Sequence, residues 1–231
     1  MKEKKVLVVL TNQSTFGDDP EKTGLWLSEA TEFIEEVQKH GYAVDYVSPK
    51  GGEVPLDPRS LEADNLSPNA KAMLESKDFS ERALAHSMKP SEVDPSDYVA
   101  IYYSGGHGVV WDFPDNEELQ RIAIEIYEAD GFVTSVCHGV AGLLNIKDRS
   151  GNYLIEGRKI TGFTQKEEEL SGKSEKVPFG TEEEAVKRGA DFKKGDPFTC
   201  FAVRDGRLIT GQNPLSGKAV AEKLIEAIDE A

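Results

Sequence analysis

Phe132-Val133-Thr134-Ser135-Val136-Cys137-His138-Gly139 carries both the fold signal and the chemistry signal in one stretch. The run from Phe132 to Val136 is apolar and β-branched, and it reads as a strand buried on both faces. It leads directly into Cys137, and Val140 to Leu144 continue as a helix. Strand, one reactive residue in a sharp turn, then helix is the pattern of a nucleophile elbow. The strained backbone there needs small neighbours, and Ser135 and Gly139 supply them. The start of the following helix offers free N–H groups, which favour a thiolate. A buried structural thiol fits these residues equally well, because free cysteine is among the most buried residue types.

The flanking chain repeats a strand–helix rhythm. Lys5 to Leu10 reads as a buried strand, Leu25 to His40 as a helix stopped by Gly41, and Tyr42 to Val47 as a second strand. That order is a βαβ unit. Leu25, Phe33, Ile34 and Val37 are the expected inward residues of the helix. Tyr98 to Tyr103 reads as a strand, and Glu117 to Ala129 as a helix presenting Leu119, Ile122, Ala123 and Ile126 on one face. Lys159 to Phe163 reads as a short strand, Thr181 to Arg188 as a helix and Lys218 to Ile228 as a closing helix. Phe198 to Val203 and Arg207 to Thr210 are expected strands joined by an Asp205-Gly206 turn. Such alternation predicts an α/β fold, a mostly parallel sheet with helices on both faces. From about 49 to 96 prolines and glycines break the rhythm, with short helices expected at Ala70–Ser76 and Ser80–Met88. Its apolar content (Leu56, Leu61, Leu66, Phe79, Leu84) predicts a small cap inserted into one domain of residues 1–231, not a tether.

Composition narrows the function classes. The 231 residues hold 27 basic and 42 acidic side chains, a formal charge of −15, which argues against nucleic acid or an anionic membrane as partner. The apolar run Val6 to Leu10 after the basic start is too short for a secretion signal, and no stretch nears the roughly 20 apolar residues of a membrane span. Two cysteines make no disulfide framework, so a reducing, cytoplasmic compartment is expected.

Three further groups of residues bear on chemistry. Tyr103-Ser104-Gly105-Gly106-His107-Gly108 follows a strand and reaches the carboxyl edge where open α/β sheets bind ligands; its glycines suit either an oxyanion site or a plain turn. Glu29 stands among apolar neighbours, so it is a candidate inward carboxylate of raised pKa. Of Glu167, Glu168 and Glu169, two are expected on a solvated face, and one could orient the His138 imidazole. The four histidines form no paired metal-ligand pattern, so no metal site is expected. Cys200 is expected as a half-buried thiol within a strand.

Taken together, Gly105-Gly106-His107-Gly108 with Trp111-Asp112-Phe113, Val136-Cys137-His138-Gly139, Ile160-Thr161-Gly162-Phe163 with its glutamates, and Leu208-Ile209-Thr210-Gly211-Gln212-Asn213-Pro214 resemble the ThiJ/PfpI superfamily. This superfamily belongs to the flavodoxin-like, class I glutamine-amidotransferase-like fold. The 48–96 segment is similar to that of the heat-shock-protein-31-like chaperone and glyoxalase III branch. The resemblance implies a glutathione-independent glyoxalase, converting a dicarbonyl such as methylglyoxal to lactate without a cofactor, and a homodimer. It further implies Cys137 as nucleophile, His138 as general base, Glu29 beside the cysteine and Glu168 as partner of His138. Backbone N–H groups of Gly106 and His138 would hold the oxyanion, with His107 at the substrate. The same residues also suit a cysteine hydrolase (amidase, peptidase or deglycase), or a stress chaperone or oxidation sensor without catalysis.

Overall fold

The computed structural model describes residues 4–230; the first three residues of the basic N-terminal run lie outside them. In chain order the elements are β1 (Lys5–Val9), β2 (Thr15–Phe16), β3 (Asp19–Lys22), α1 (Leu27–Lys39), β4 (Ala43–Val47), α2 (Pro68–Glu75), β5 (Tyr98–Tyr103), α3 (Val109–Asp112), α4 (Glu117–Glu128), β6 (Phe132–Val136), β7 (Lys159–Ile160), α5 (Gln165–Ser171), α6 (Thr181–Lys187), β8 (Asp191–Phe192), β9 (Ala202–Asp205), β10 (Leu208–Gly211) and α7 (Gly217–Asp229). The main sheet has the order β4-β1-β5-β6-β10-β9. Every pairing in it is parallel except the β9–β10 hairpin.

The two-residue strand period divides the core into two layers. Val6, Val8, Ala100 and Tyr102 face one side with α1 and α7, while Leu7, Val9, Ile101 and Tyr103 face the other with α4. The inward residues expected of α1 and α4 are all buried. In the first layer the Phe33 ring stacks on Tyr102 at 3.6 Å between centroids, and the Tyr102 hydroxyl donates to the Glu29 carbonyl at 2.7 Å. That contact seats the first turn of α1 over the sheet.

The segment between β4 and β5 is tied back to the domain at several points. Val47 bridges Met88, Gly52 bridges Ser87, and Leu25 bridges Leu56. Asp57 caps a short 3-10 turn, Pro58–Leu61, by accepting the Arg59 N–H. The second short helix of this segment is a π-type turn, Phe79–Ala85, instead of one running to Met88.

Two expectations are corrected here. Cys200 is exposed and lies ahead of β9, outside any strand. Phe198 takes φ +52, and Thr199 turns back to donate to the Asp196 carbonyl, so the β9–β10 pairing begins only at Phe201, whose carbonyl accepts the Gln212 N–H. The residues after Cys137 form a 3-10 turn, Cys137–Leu143, instead of an α-helix.

Replacing Phe33 by Ala removes a fully buried ring from the layer under α1. Chemical denaturation is expected to show a loss of about 3–5 kcal/mol. A loss under about 1 kcal/mol would mean that this stack does not anchor α1.

Candidate active site

Cys137 ends the central strand β6 at φ +56, a left-handed conformation that a non-glycine residue rarely adopts. The turn aims its side chain away from the sheet, and the chain is pinned behind it: Phe163 N–H donates to the Cys137 carbonyl at 3.1 Å. Gly139 makes the turn possible, because a Cβ there would strike the Tyr103 carbonyl oxygen. Cys137 thus stands where a nucleophile elbow is expected, but it is buried.

His138 follows directly. Its Nδ1 lies 3.4 Å from the Cys137 Sγ, and its Nε2 lies 2.6 Å from Glu168 Oε2. Glu168 is on α5, whose start is closed by a capping box between Thr164 and Glu167. The other Glu168 oxygen, Oε1, lies 2.8 Å from His107 Nε2 and accepts from the Ser171 hydroxyl at 3.1 Å. One carboxylate therefore serves two imidazoles, whose rings are 4.2 Å apart. Phe163 covers His138 at 4.3 Å, and Phe16 from the β2–β3 hairpin lies against His107 at 5.2 Å.

Burial alone would raise the Glu168 carboxyl, yet its interaction with His138 and the hydrogen bonds from both imidazoles hold it well below the usual carboxylate range. Burial and the neighbouring His138 push His107 down to about 4. The opposite holds for Glu29 in the first turn of α1. It is fully buried, and desolvation keeps its carboxyl protonated far above the usual range, against the pull of Cys137 and the Gly105 N–H. Burial likewise pushes the Cys137 thiol up, and a charged Glu29 would push it further, while the His138 N–H pulls the other way. With Glu29 neutral, that second cause disappears. The helix-start stabilisation of a thiolate expected from sequence is thus outweighed by desolvation in this conformation.

Gly106 takes φ +112, and a Cβ there would meet the Gly24 carbonyl oxygen, so the strand-β5 loop passes as close to the 23–26 segment as backbone can. The pocket above Cys137 has a volume of about 470 Å³ and includes Glu29, Gly106, His107, Cys137 and His138 in its wall. Of the site residues expected from the resemblance, Cys137, His138, Glu29, Gly106 and His107 line it directly, and Glu168 sits behind the two imidazoles. Trp26, Phe163, Phe198 and Leu215 make the rest of the wall largely apolar.

Two residues were not foreseen. Two of the three glutamates were expected on a solvated face, yet Glu167 is buried, as is Glu168; only Glu169 of the three is exposed. Glu167 Oε1 accepts from Phe198 N–H, Gln212 Nε2 and Asn213 Nδ2 at 2.8, 3.1 and 2.9 Å, which ties α5 to the loop after β10. Arg59, from the segment between β4 and α2, reaches the pocket wall and His107 Nδ1. A Thr-x-x-Glu box at 164–167 was the available signal for Glu167; nothing local marks Arg59.

One ligand atom each from His107, His138 and Glu168 lie within 4.8 Å of one another, a spacing a divalent cation could use. In this arrangement both Nε2 atoms face Glu168, and the Arg59 guanidinium beside His107 opposes a second cation.

The family model for the DJ-1/PfpI family matches residues 22–227. The chain belongs to the DJ-1/PfpI family. Among curated relatives, "Glyoxalase 3" of Candida albicans is 36% identical over 234 residues, covering 97% of this chain and 98% of that protein. "Glutathione-independent glyoxalase HSP31" of Saccharomyces cerevisiae is 37% identical over 236 residues, covering 99% of each. The crystal structure of glyoxalase III from Candida albicans superposes with a TM-score of 0.88 at 35% identity, covering 97% of both chains.

The two carboxyls give opposite pH signatures. Glu29, raised in the folded state from an ordinary value of 4.5, favours folding below that pH and loses this contribution as pH rises. Glu168, lowered from 4.5, contributes stability above that pH and loses it as pH falls. Denaturation midpoints are therefore expected to show Glu29→Gln gaining on wild type from pH 5 to 8. Glu168→Gln should lose most near neutrality and converge on wild type in acid. The reverse order would show that the protonation states are misassigned.

Proposed function

We infer that this protein is a glutathione-independent glyoxalase, a glyoxalase III-type enzyme that converts 2-oxoaldehydes such as methylglyoxal to 2-hydroxy acids such as lactate. The observation that carries the reading is the Cys137–His138–Glu168 line, with a protonated Glu29 on the other side of the sulfur. The full-length relatives named as glyoxalases support it. The substrate is a small molecule. Among the described residues no helix is long and apolar enough to cross a membrane.

The chemistry requires no external redox partner, because one substrate carbon is oxidised as its neighbour is reduced. Cys137 Sγ attacks the aldehyde carbon, forming the C–S bond as the carbonyl π bond opens. Glu29 delivers a proton to that oxygen and its carboxyl takes up the thiol proton, so a buried thiol need not ionise in advance of substrate. In the resulting hemithioacetal His138 Nδ1 removes the proton from the aldehyde-derived carbon. An enediolate forms as Glu29 moves a proton from the first oxygen to the second, and the imidazolium faces its charge. His138 returns its proton to the neighbouring carbon, which leaves a thioester of the 2-hydroxy acid. Water cleaves that bond, and the thiol is regenerated. Glu168 accepts the His138 Nε2–H throughout, which leaves Nδ1 as the basic nitrogen and stabilises the imidazolium. The N–H groups of Gly106 and His138 serve the developing oxyanion, and His107 lies at the substrate wall.

Residues of about 49–96 act in this reading as a cap that completes the pocket with Arg59, Glu62 and Asn65. The same resemblance carries a cytoplasmic homodimer, which fractionation and light scattering test directly.

Lactate formation from methylglyoxal without glutathione is expected for wild type and abolished in Cys137→Ala. His138→Ala and Glu29→Gln should each lower kcat by roughly 10²–10⁴-fold. No lactate from folded, reduced wild type would overturn the reading. Release of ammonia or a peptide amine with a trapped acyl-enzyme would replace it with hydrolysis.

A further inference from the structure

Arg59 lies outside the reacting groups, yet it is bonded into the same network. Its Nε and Nη2 donate to Asp57 Oδ1 and Oδ2 at 2.9 and 2.6 Å, a bidentate pair on a fully buried carboxylate. Asp57 Oδ2 also accepts from the Thr23 hydroxyl at 2.9 Å. The guanidinium is packed between the rings of Phe16 and Trp26, at 5.6 and 5.7 Å from their centroids. Its Nη2 then stands 3.0 Å from His107 Nδ1.

A guanidinium has only donors. His107 Nδ1 is therefore the acceptor, so the single ring proton sits on Nε2 and is donated to Glu168 Oε1. A doubly protonated His107 would turn an N–H against an N–H. With both Glu168 oxygens accepting, His138 in turn donates its Nε2–H, and its Nδ1 faces the sulfur of a thiol whose ionisation burial opposes. The ionisable and charged groups facing His107 are Glu168 on α5, His138 in the Cys137 turn and Arg59 in the cap. Asp57 and Glu21 lie behind Arg59, and Lys173 and Lys176 reach over the Phe16 ring that covers His107.

We propose that Arg59 is a positioning residue that locks His107 as a neutral Nε2–H donor, and thereby sets the tautomer of His138 through Glu168. The inserted cap segment acts on the catalytic base without touching it. A free His107 would compete with His138 for protons and for Glu168, with its ring only 4.2 Å away. The kinetic part of this proposal rests on the glyoxalase reading; the tautomer does not.

Imidazole 15N NMR of wild type is expected to show His107 protonated on Nε2 alone from about pH 5 to 8, below and above the ordinary histidine value of about 6.5. In Arg59→Met, His107 should titrate at a higher pH than in wild type, because the guanidinium no longer bars a second ring proton. At about pH 6 kcat should fall roughly tenfold or more, beyond any rise in KM from the altered pocket wall, because a positioned base is lost. A new acid limb should enter the pH–rate profile. That limb should vanish in the double variant Arg59→Met/His107→Gln, whose amide still donates to Glu168 but does not titrate. Arg59→Lys should restore part of kcat.

A wild-type His107 carrying its proton on Nδ1, or titrating near its ordinary value, overturns the proposal even where Arg59→Met fails to fold. So does a rise in KM alone, no change in rate, or an acid limb that persists in the double variant. Absence of lactate from wild type would remove the glyoxalase reading, while the NMR experiment still tests the lock.

Discussion

Cys137 turns the chain at φ +56 at the end of a strand buried on both faces, and most of the site follows from that turn. The sulfur can leave the sheet only there, and the chain after it must press against the β5 carbonyls, which excludes a side chain at residue 139. The turn also places His138 one residue later, with its ring swung back along the sulfur. Depth in the fold then dictates the electrostatics. A thiol removed from water resists ionisation, so the groups around it must accept and return its proton at the moment of bonding.

The two carboxyls near the sulfur are held in opposite states by surroundings only a few ångströms apart. Glu29 projects from the first turn of α1 into apolar surroundings and keeps its proton. Glu168 meets two imidazole N–H groups and a hydroxyl and loses it. Separation of this kind assigns acid and base roles within one pocket at one pH. The chain's overall excess of acidic residues plays no part in it, because exposed charges at a distance are screened while buried neighbours are not.

Support for these groups comes from segments far apart in sequence. Glu167 ties α5 to the loop after β10, Phe16 arrives on a small hairpin, and Arg59 comes from the segment between β4 and α2. Each is held by its own partner: Thr164 for Glu167, Asp57 for Arg59, and for the hairpin the ion pairs of Lys173 and Lys176 with Glu21 and Asp19. A pocket built in this way keeps its geometry while its walls remain mostly apolar.

Wherever apolar residues recur with a regular period, the amino-acid sequence by itself determined the structure: the βαβ start, strands β5 and β6, helices α4 and α7, and the elbow at Cys137. Its short motifs also singled out Cys137, His138, Glu29 and the Gly105–Gly108 loop, because glycines and a strand-terminal cysteine carry a local conformational meaning. Helix α5 escaped that reading because its buried face is made of carboxylates, and a hydrophobic period cannot register it. The β2–β3 hairpin, at Thr15–Phe16 and Asp19–Lys22, alternates too briefly to register either. Cys200 fell outside its expected strand because a positive φ at Phe198, not a residue preference, sets where β9 begins. Tertiary structure alone decided which glutamate meets which histidine, that Glu167 is buried, and that Arg59 reaches His107. The physical reason is that protonation and tautomer depend on burial and on partners 30 to 61 residues away, and no local pattern encodes such contacts.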